Sequence, residues 1–345
     1  MMHVAVDAMG GDHAPAAVVE GAVRAAQTDR TGILLVGDQG ALEAELRLHD
    51  GDRTGIEIVH ADQVVSMDEP AITPIRRKRR SSVRIAAQLV RDGRAQALVS
   101  FGNTGATLIV GKMVIGAVAG VDRPALAAVF PNRQDRTIFL DVGANIDTRP
   151  AHLRQFAVMG HFYAQEVLQT AAPRIGLLSI GEEEIKGSDT TKKVFELMQN
   201  MGLNFIGNVE GRDIFDGTAD VVVCDGFVGN VVLKSGEALA GLMGTMLREE
   251  LGRSLRTRVG GLLARPALVN LKRRTDYSET GAVPLLGLEG GCFVGHGRSG
   301  PKAVHNAIRQ AVDFCVADLH NKIRSKVKEL HSREDDLLDS GEEAS

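Results

Sequence analysis

The residues best suited to chemistry in this chain stand where short apolar runs break into glycine. Ala97-Leu98-Val99-Ser100 is such a run, and Phe101-Gly102-Asn103-Thr104-Gly105-Ala106 follows it. A strand that turns through glycines into a helix gathers unpaired backbone N–H groups and the positive helix end at one point. That combination suits an anion. Gly102 and Gly105 let the backbone approach a phosphate with no Cβ in the way. Thr104 is a good helix N-cap, and Asn103 offers an amide donor. A lone glycine-rich turn is equally a plain strand-to-helix connection, so the other strand ends decide the reading.

They repeat the pattern. Val4-Ala5-Val6-Asp7 leads into Gly10, Gly11, Asp12 and His13 before a helix over 16–28. Leu140-Asp141-Val142-Gly143-Ala144-Asn145 ends another run. Ile180 opens into Gly181-Glu182-Glu183-Glu184-Ile185-Lys186-Gly187, and Asn208-Val209-Glu210-Gly211 follows a further strand. Asp225-Gly226-Phe227-Val228-Gly229-Asn230 and Gly295-His296-Gly297-Arg298-Ser299 complete the set. In open α/β sheets, ligands bind beyond the carboxyl ends of strands. So many ends rich in Gly, Asp, Asn and Glu predict one polar, glycine-lined cleft. Its donors suit a phosphate and a carbonyl better than a metal. The plain alternative makes Asp12 a helix cap and His13 a surface residue.

Strands expected at 4–7, 33–37, 56–59, 95–99, 125–130, 137–140, 174–180, 219–224 and 290–294 alternate with helices. That order predicts a parallel sheet with helices on both faces. One helix is expected over 107–121. A chain of 345 residues makes one large α/β unit or two lobes. Apolar content of 44% with 39 glycines fits an α/β protein with many strand–helix turns. A net charge of −4 argues against general nucleic-acid binding, and no Trp with two Tyr argues against a base-stacking platform. Cys224, Cys292 and Cys315 lack metal-ligand spacing and read as buried thiols of a reducing cytosol. No signal peptide is read at the start.

Two basic stretches stand apart. Arg76-Arg77-Lys78-Arg79-Arg80 is either a solvated face or a wall of the cleft. From 231, Leu239, Leu242, Met243, Met246, Leu247 and Leu251 fall at helical spacing. Arginines at 253, 256, 258 and 265 and the run Lys272-Arg273-Arg274 follow. Such an arm suits an anionic membrane surface or a dimer interface. The stretch 331–345, with six acids and little apolar content, reads as a disordered tail.

Together these stretches, with Pro284-Leu285-Leu286-Gly287, resemble in collinear order the bacterial phosphate acyltransferase family of phospholipid synthesis, over about residues 2–325. The resemblance implies a three-layer α/β/α sandwich like that of the isocitrate and isopropylmalate dehydrogenases and phosphotransacetylases. It implies one catalytic unit over 1–330, with the helical arm at about 231–275 making dimer or membrane contact. It implies a reversible reaction of acyl-[acyl-carrier-protein] with inorganic phosphate to give acyl phosphate and free carrier, without cofactor or metal. A cytoplasmic, peripherally membrane-associated homodimer would feed a membrane glycerol-3-phosphate acyltransferase. Phe101, Arg80, Lys234-Ser235-Gly236-Glu237 and Thr280-Gly281-Ala282 depart from the family pattern.

Inorganic phosphate is already an anionic nucleophile at neutral pH, so the site must chiefly orient two polar partners and stabilise an oxyanion. Asn103 and the Gly102–Thr104 turn are expected to hold phosphate or the oxyanion, with Lys186 and Arg298 as charge partners. Asp7, His13 and Asp225 are expected to orient groups or protonate the leaving thiolate. Gly10, Gly11, Asp12, Gly105, Asp141, Asn145, Glu182, Asn208, Glu210, Asn230 and His296 are expected to line the substrate. Arg76, Arg77 and Lys78, or Arg256 and Arg258 with Leu262 and Leu263, are expected to meet the acidic carrier or the membrane. The alternatives are a phosphotransacetylase-type enzyme using acyl coenzyme A, a β-decarboxylating dehydrogenase on the same fold, and a non-catalytic membrane scaffold for lipid enzymes.

Overall fold

A computed structural model describes residues 2–29, 31–49, 54–275 and 280–342, without the side chains of 275 and 333–342. The strands are β1 (His3–Asp7), β2 (Gly32–Gly37), β3 (Ile56–His60), β4 (Ala97–Ser100), β5 (Ala125–Pro131) and β6 (Arg136–Leu140). They continue as β7 (Ile175–Leu178), β8 (Phe205–Val209), β9 (Val221–Val223), β10 (Ala282–Leu286) and β11 (Gly291–Gly295). All join one sheet in the order β3-β2-β1-β4-β11-β10-β5-β6-β9-β7-β8.

Alternate residues of the strands enter different cores. Val4 and Val6 pack with Ile33, Leu35 and Val99 on one face, while Ala5 packs with Leu34 and Leu98 on the other. Strands buried on both faces need continuous apolar runs, which is why β1, β2 and β4 lack a polar alternation. The first face is covered by α1 (Ala16–Asp29), α2 (Gln39–Arg47), α6 (Pro150–Glu166), α7 (Asp189–Gln199), α12 (Pro301–Val316) and α13 (Leu319–Glu342). The second is covered by α4 (Ser82–Arg91), α5 (Thr104–Val110) and the short α8 (Asp213–Asp216), with α3 (Thr73–Arg76) beside α5.

The sheet is mixed, where strand–helix alternation predicts a parallel one. β11 pairs antiparallel with β10, β10 with β5, and β5 with β6. Three reversals are an odd number, so β6, β9, β7 and β8 run opposite to β1, β2, β3, β4 and β11. The ends after Asp7, Ser100 and Gly295 leave one edge of the sheet. Those after Leu140, Leu178, Val209 and Val223 leave the other. The single cleft expected from the sequence is therefore two separate loop clusters in one chain. The reversal depends on how β10 pairs with β5, a contact between residues far apart in sequence.

The helix expected over 107–121 is also shorter. It begins at Thr104 with Asn103, not Thr104, as N-cap, becomes a π-helical turn over Gly111–Ile115, and stops at Gly116. Gly116 takes φ +96°, which L side chains rarely adopt. Helical backbone in α13 extends to Glu342, into the stretch that composition reads as disordered, and 343–345 lie outside the described residues. Tyr277 also lies outside them.

The arm comprises α9 (Gly226–Gly252), α10 (Leu255–Leu263) and α11 (Arg265–Thr275). In α9 only Gly226 and Gly229 are buried, and Leu239, Leu242, Met243, Met246 and Leu247 stay between 41% and 63% exposed. Its root is tight: a Cβ on Gly229 would lie 1.8 Å from the carbonyl oxygen of Asp141. No described helix is long and apolar enough to cross a membrane.

Candidate active site

The edge where β1, β4 and β11 end carries a floor of backbone. Asp7, 3% exposed, closes β1. The Ser100 hydroxyl donates to Asp7 Oδ2 at 2.7 Å, and the Met9 N–H donates to Oδ1 at 3.3 Å. Burial pushes the Asp7 carboxyl above its usual range, against the pull of Ser82, Ser100 and the Met9 and Gly10 N–H groups. Directly above, a Cβ on Gly10 would meet Asp7 Oδ2 at 2.7 Å and Gly102 Cα at 2.8 Å. Gly11 takes φ +106°, and the next residue, Asp12, donates its N–H to the Gly297 carbonyl at 2.8 Å. The loops after β1, β4 and β11 thus press together into one surface.

This packing corrects part of the expected assignment. Gly10 and Gly102 are glycine so that two chain segments can touch, and Gly105 because a Cβ there would meet Ala71 Cβ at 2.8 Å. Asn103 is fully engaged by the protein. Its Oδ1 accepts the Ala106 N–H at 3.0 Å. Its Nδ2 donates to the carbonyls of Ser66, Met67 and Glu69 at 3.2, 3.1 and 2.8 Å. Lys78 is also engaged, with Nζ 2.6 Å from the Val64 carbonyl and 2.7 Å from Glu69 Oε2, and is only partly exposed.

Around this floor stand exposed ionisable and polar side chains: Asp12, His13, Thr104, His296 and Arg298. The Arg298 N–H donates to His296 Nδ1 at 3.2 Å, fixing that imidazole beside Gly297. Arg76 and Arg77 are exposed beyond the 66–69 segment. Sequence reasoning missed Ser82, Met67 and the Glu69–Lys78 pair. The Ser81-Ser82 step at the head of a helix was a usable signal for Ser82; the other two meet the site only through tertiary contact.

The opposite edge gathers the remaining expected residues, and most are used in closing turns. Asp141 is fully buried and accepts from Leu126, Gly143, Ala144 and Asn145 N–H groups and from Asn145 Nδ2. Asn145 Nδ2 also donates to the Pro124 carbonyl at 2.8 Å. Asp225 caps α9 through the Val228 N–H at 2.9 Å. Asn230 lies against Gly143, whose Cβ position is 3.4 Å from Asn230 Cβ. Glu182 and Glu210 both face Arg212, at 2.6 and 3.5 Å, and Asn208 Nδ2 donates to the Glu183 carbonyl at 2.9 Å. Lys186 is exposed on the same loop, and Arg256, Arg258, Leu262 and Leu263 are exposed on the arm. Among the described residues, no three His, Cys, Asp or Glu side chains form a metal-holding group.

The Asp7 carboxyl gives a pH prediction. Its folded-state pKa is raised above the value of 3.8 for a free side chain, so the folded state holds the proton more tightly. Stability is therefore lost as pH rises from about 3.8 through the folded pKa. Asp7→Asn removes that loss. Thermal melts should show the Asn variant gaining on wild type as pH rises above about 4; a difference in melting temperature independent of pH would contradict it.

A family model described as "Fatty acid synthesis protein" matches residues 2–322 of the chain. A phosphate acyltransferase of Pelotomaculum thermopropionicum is 48% identical over 329 residues, covering 95% of this chain and 96% of that protein. A phosphate acyltransferase of Geobacter sulfurreducens is 48% identical over 327 residues, covering 95% and 94%. Among solved structures, a phosphotransacetylase from Streptococcus pyogenes matches with a TM-score of 0.63 at 16% identity, covering 91% of this chain and 94% of that one. That last likeness concerns the fold alone.

Proposed function

Because the chain belongs to the phosphate acyltransferase family, acyltransferases of fatty acid and lipid synthesis, we propose that its acyl donor is a thioester of acyl carrier protein. Inorganic phosphate attacks the thioester carbonyl, the C–O bond to phosphate forms, and the C–S bond breaks. The carrier leaves as a thiolate that takes up a proton, and the step is reversible. Nearly full-length identity of 48% to phosphate acyltransferases carries this reading. Phosphate needs charge and orientation more than a strong base. The rim of His13, Thr104, His296 and Arg298 over a side-chain-free floor supplies both. Arg298 is assigned the phosphate charge and His13 the proton for the thiolate. Asp7, beneath the glycines, sets the floor and does not reach the substrate. Lys186 and Asp225 lie on the other edge and are left outside this assignment.

The same reading takes the fold as a three-layer α/β/α sandwich of the isocitrate/isopropylmalate dehydrogenase type, one catalytic unit over 1–330. It takes the enzyme as a cytoplasmic homodimer whose arm touches a membrane surface, handing acyl phosphate to a membrane glycerol-3-phosphate acyltransferase. Exposed Arg76 and Arg77, next to the 66–69 segment, are the assigned docking face for the acidic carrier. The apolar stripe of α9 and the Leu262 and Leu263 tip support the dimer and membrane roles.

The test is trapping. Purified protein receives long-chain acyl carrier protein or acyl coenzyme A with phosphate, and hydroxylamine converts acyl phosphate to hydroxamate. Phosphate-dependent hydroxamate from the carrier thioester is the expected result. Product only from coenzyme A would replace the reading with a phosphotransacetylase-type donor, and none from either would remove it.

A further inference from the structure

We propose that the segment 66–69 is the wall of the site that recognises the acyl donor, with Met67 as its contact residue and Asn103 as the residue that positions it. This rests on the thioester reading above. Two independent fixings hold the segment, and a further bond anchors the lysine that makes one of them. The Asn103 amide reaches three carbonyls of the segment, those of Ser66, Met67 and Glu69, within 3.2 Å. Glu69 Oε2 accepts the Ser66 N–H at 2.8 Å and pairs with Lys78 at 2.7 Å. Lys78 also holds the Val64 carbonyl. A surface loop with so many fixings has a defined shape, and its ordering is not left to the substrate.

The fixings leave one apolar group facing out. Met67 is 49% exposed, and its Cε lies 2.9 Å from the Cβ position of Gly297. Gly297 belongs to the floor, through the hydrogen bond from Asp12 to its carbonyl. Met67 therefore overhangs the floor, beside a rim whose other named members, Asp12, His13, Thr104, His296 and Arg298, are polar. Phosphate has no use for a thioether. The other substrate does, because an acyl thioester carries methylenes on both sides of its carbonyl. An unbranched thioether adapts to such a chain. Absence of a Cβ at Gly297 is what makes room for the methyl group.

Asn103 acts through this wall. It shows its oxygen to the helix and its nitrogen to the segment, so the two functions separate by substitution. Asn103→Ser keeps an oxygen suited to an N-cap and removes the amide that holds the three carbonyls.

The experiment measures KM for acyl carrier thioester and for phosphate separately in wild type, Met67→Ser, Met67→Leu and Asn103→Ser. Met67→Ser should raise the donor KM about tenfold, the scale of lost apolar contact at a pocket. Met67→Leu should restore most of it. Asn103→Ser should raise the donor KM at least as much, and move the phosphate KM less than about threefold. A phosphate KM that rises more than the donor KM in Asn103→Ser would return Asn103 to the phosphate site and overturn the proposal. So would an unchanged donor KM in Met67→Ser. If Asn103→Ser fails to fold, the Met67 pair decides alone. A wild-type protein that forms no acyl phosphate from the carrier thioester would instead defeat the reaction assigned above.

Discussion

Asp141→Ala is expected to cost the protein most of its stability. The Asp141 carboxylate accepts five hydrogen bonds, and those from Leu126 N–H, Asn145 N–H and Asn145 Nδ2 are buried, at 3.0, 2.6 and 2.9 Å. Each buried donor left without a partner costs about 1–3 kcal/mol. Three such losses approach the whole margin of a native domain, roughly 5–15 kcal/mol. The turn also seats the arm, because Gly226 and Gly229 pack against Asn145 and Asp141 backbone. Denaturant melts should show a loss of about 4 kcal/mol or more, or no soluble folded protein. Burial raises the Asp141 pKa, so Asp141→Asn should be milder: it removes the cost of a buried charge but turns one acceptor into a donor. An Asp141→Ala protein melting within a few degrees of wild type would show that the turn closes without its carboxylate.

Arg298→Met is expected to have the largest effect on turnover among the rim residues. Met retains much of the apolar stem and removes the guanidinium. Charge-assisted hydrogen bonds contribute about 1.5–3 kcal/mol each, so on the phosphate role proposed for Arg298, loss of a two-pronged contact should lower kcat/KM for phosphate about 10²-fold. Arg94→Met is the control. Arg94 pairs with Glu57 on the edge strand β3, both half exposed, and has no part in the floor or rim. A drop of less than about threefold for Arg298→Met would move the phosphate charge to another cation, with Arg76 and Arg77 next in line. A similar drop in Arg94→Met would point to a general charge effect.

Local order in the sequence anticipated most elements because the signals are local. The apolar runs expected at 4–7 and 33–37 become β1 and β2, and the helix expected over 16–28 forms as α1. The floor residues Asp7, Gly10, Gly102 and Gly297 were legible as residues worth attention, since strand ends dense in glycine and ionisable groups are uncommon. What each glycine does was not legible. The same residue type admits a phosphate or a second backbone segment, and here Gly10 meets Gly102 while Gly105 meets Ala71. Asn103 shows the same ambiguity, because an amide at a helix start can hold a ligand or a distant loop.

The sequence by itself determined the class of the molecule: short buried strands, helices on both faces, glycine turns at strand ends, and a collinear set of motifs that matches one family over residues 2–322. Tertiary structure alone decided which strand ends meet. Three antiparallel pairings around β10 and β5 send the Asp141 and Asp225 loops to the edge opposite Asp7, Ser100 and Gly295. Strand direction is inherited through hydrogen-bonded neighbours, and β10 lies more than 150 residues from β5 in the chain. No window of sequence contains both strands, so the separation of the two loop clusters, and the overhang of Met67 on one of them, emerges only when the chain is folded.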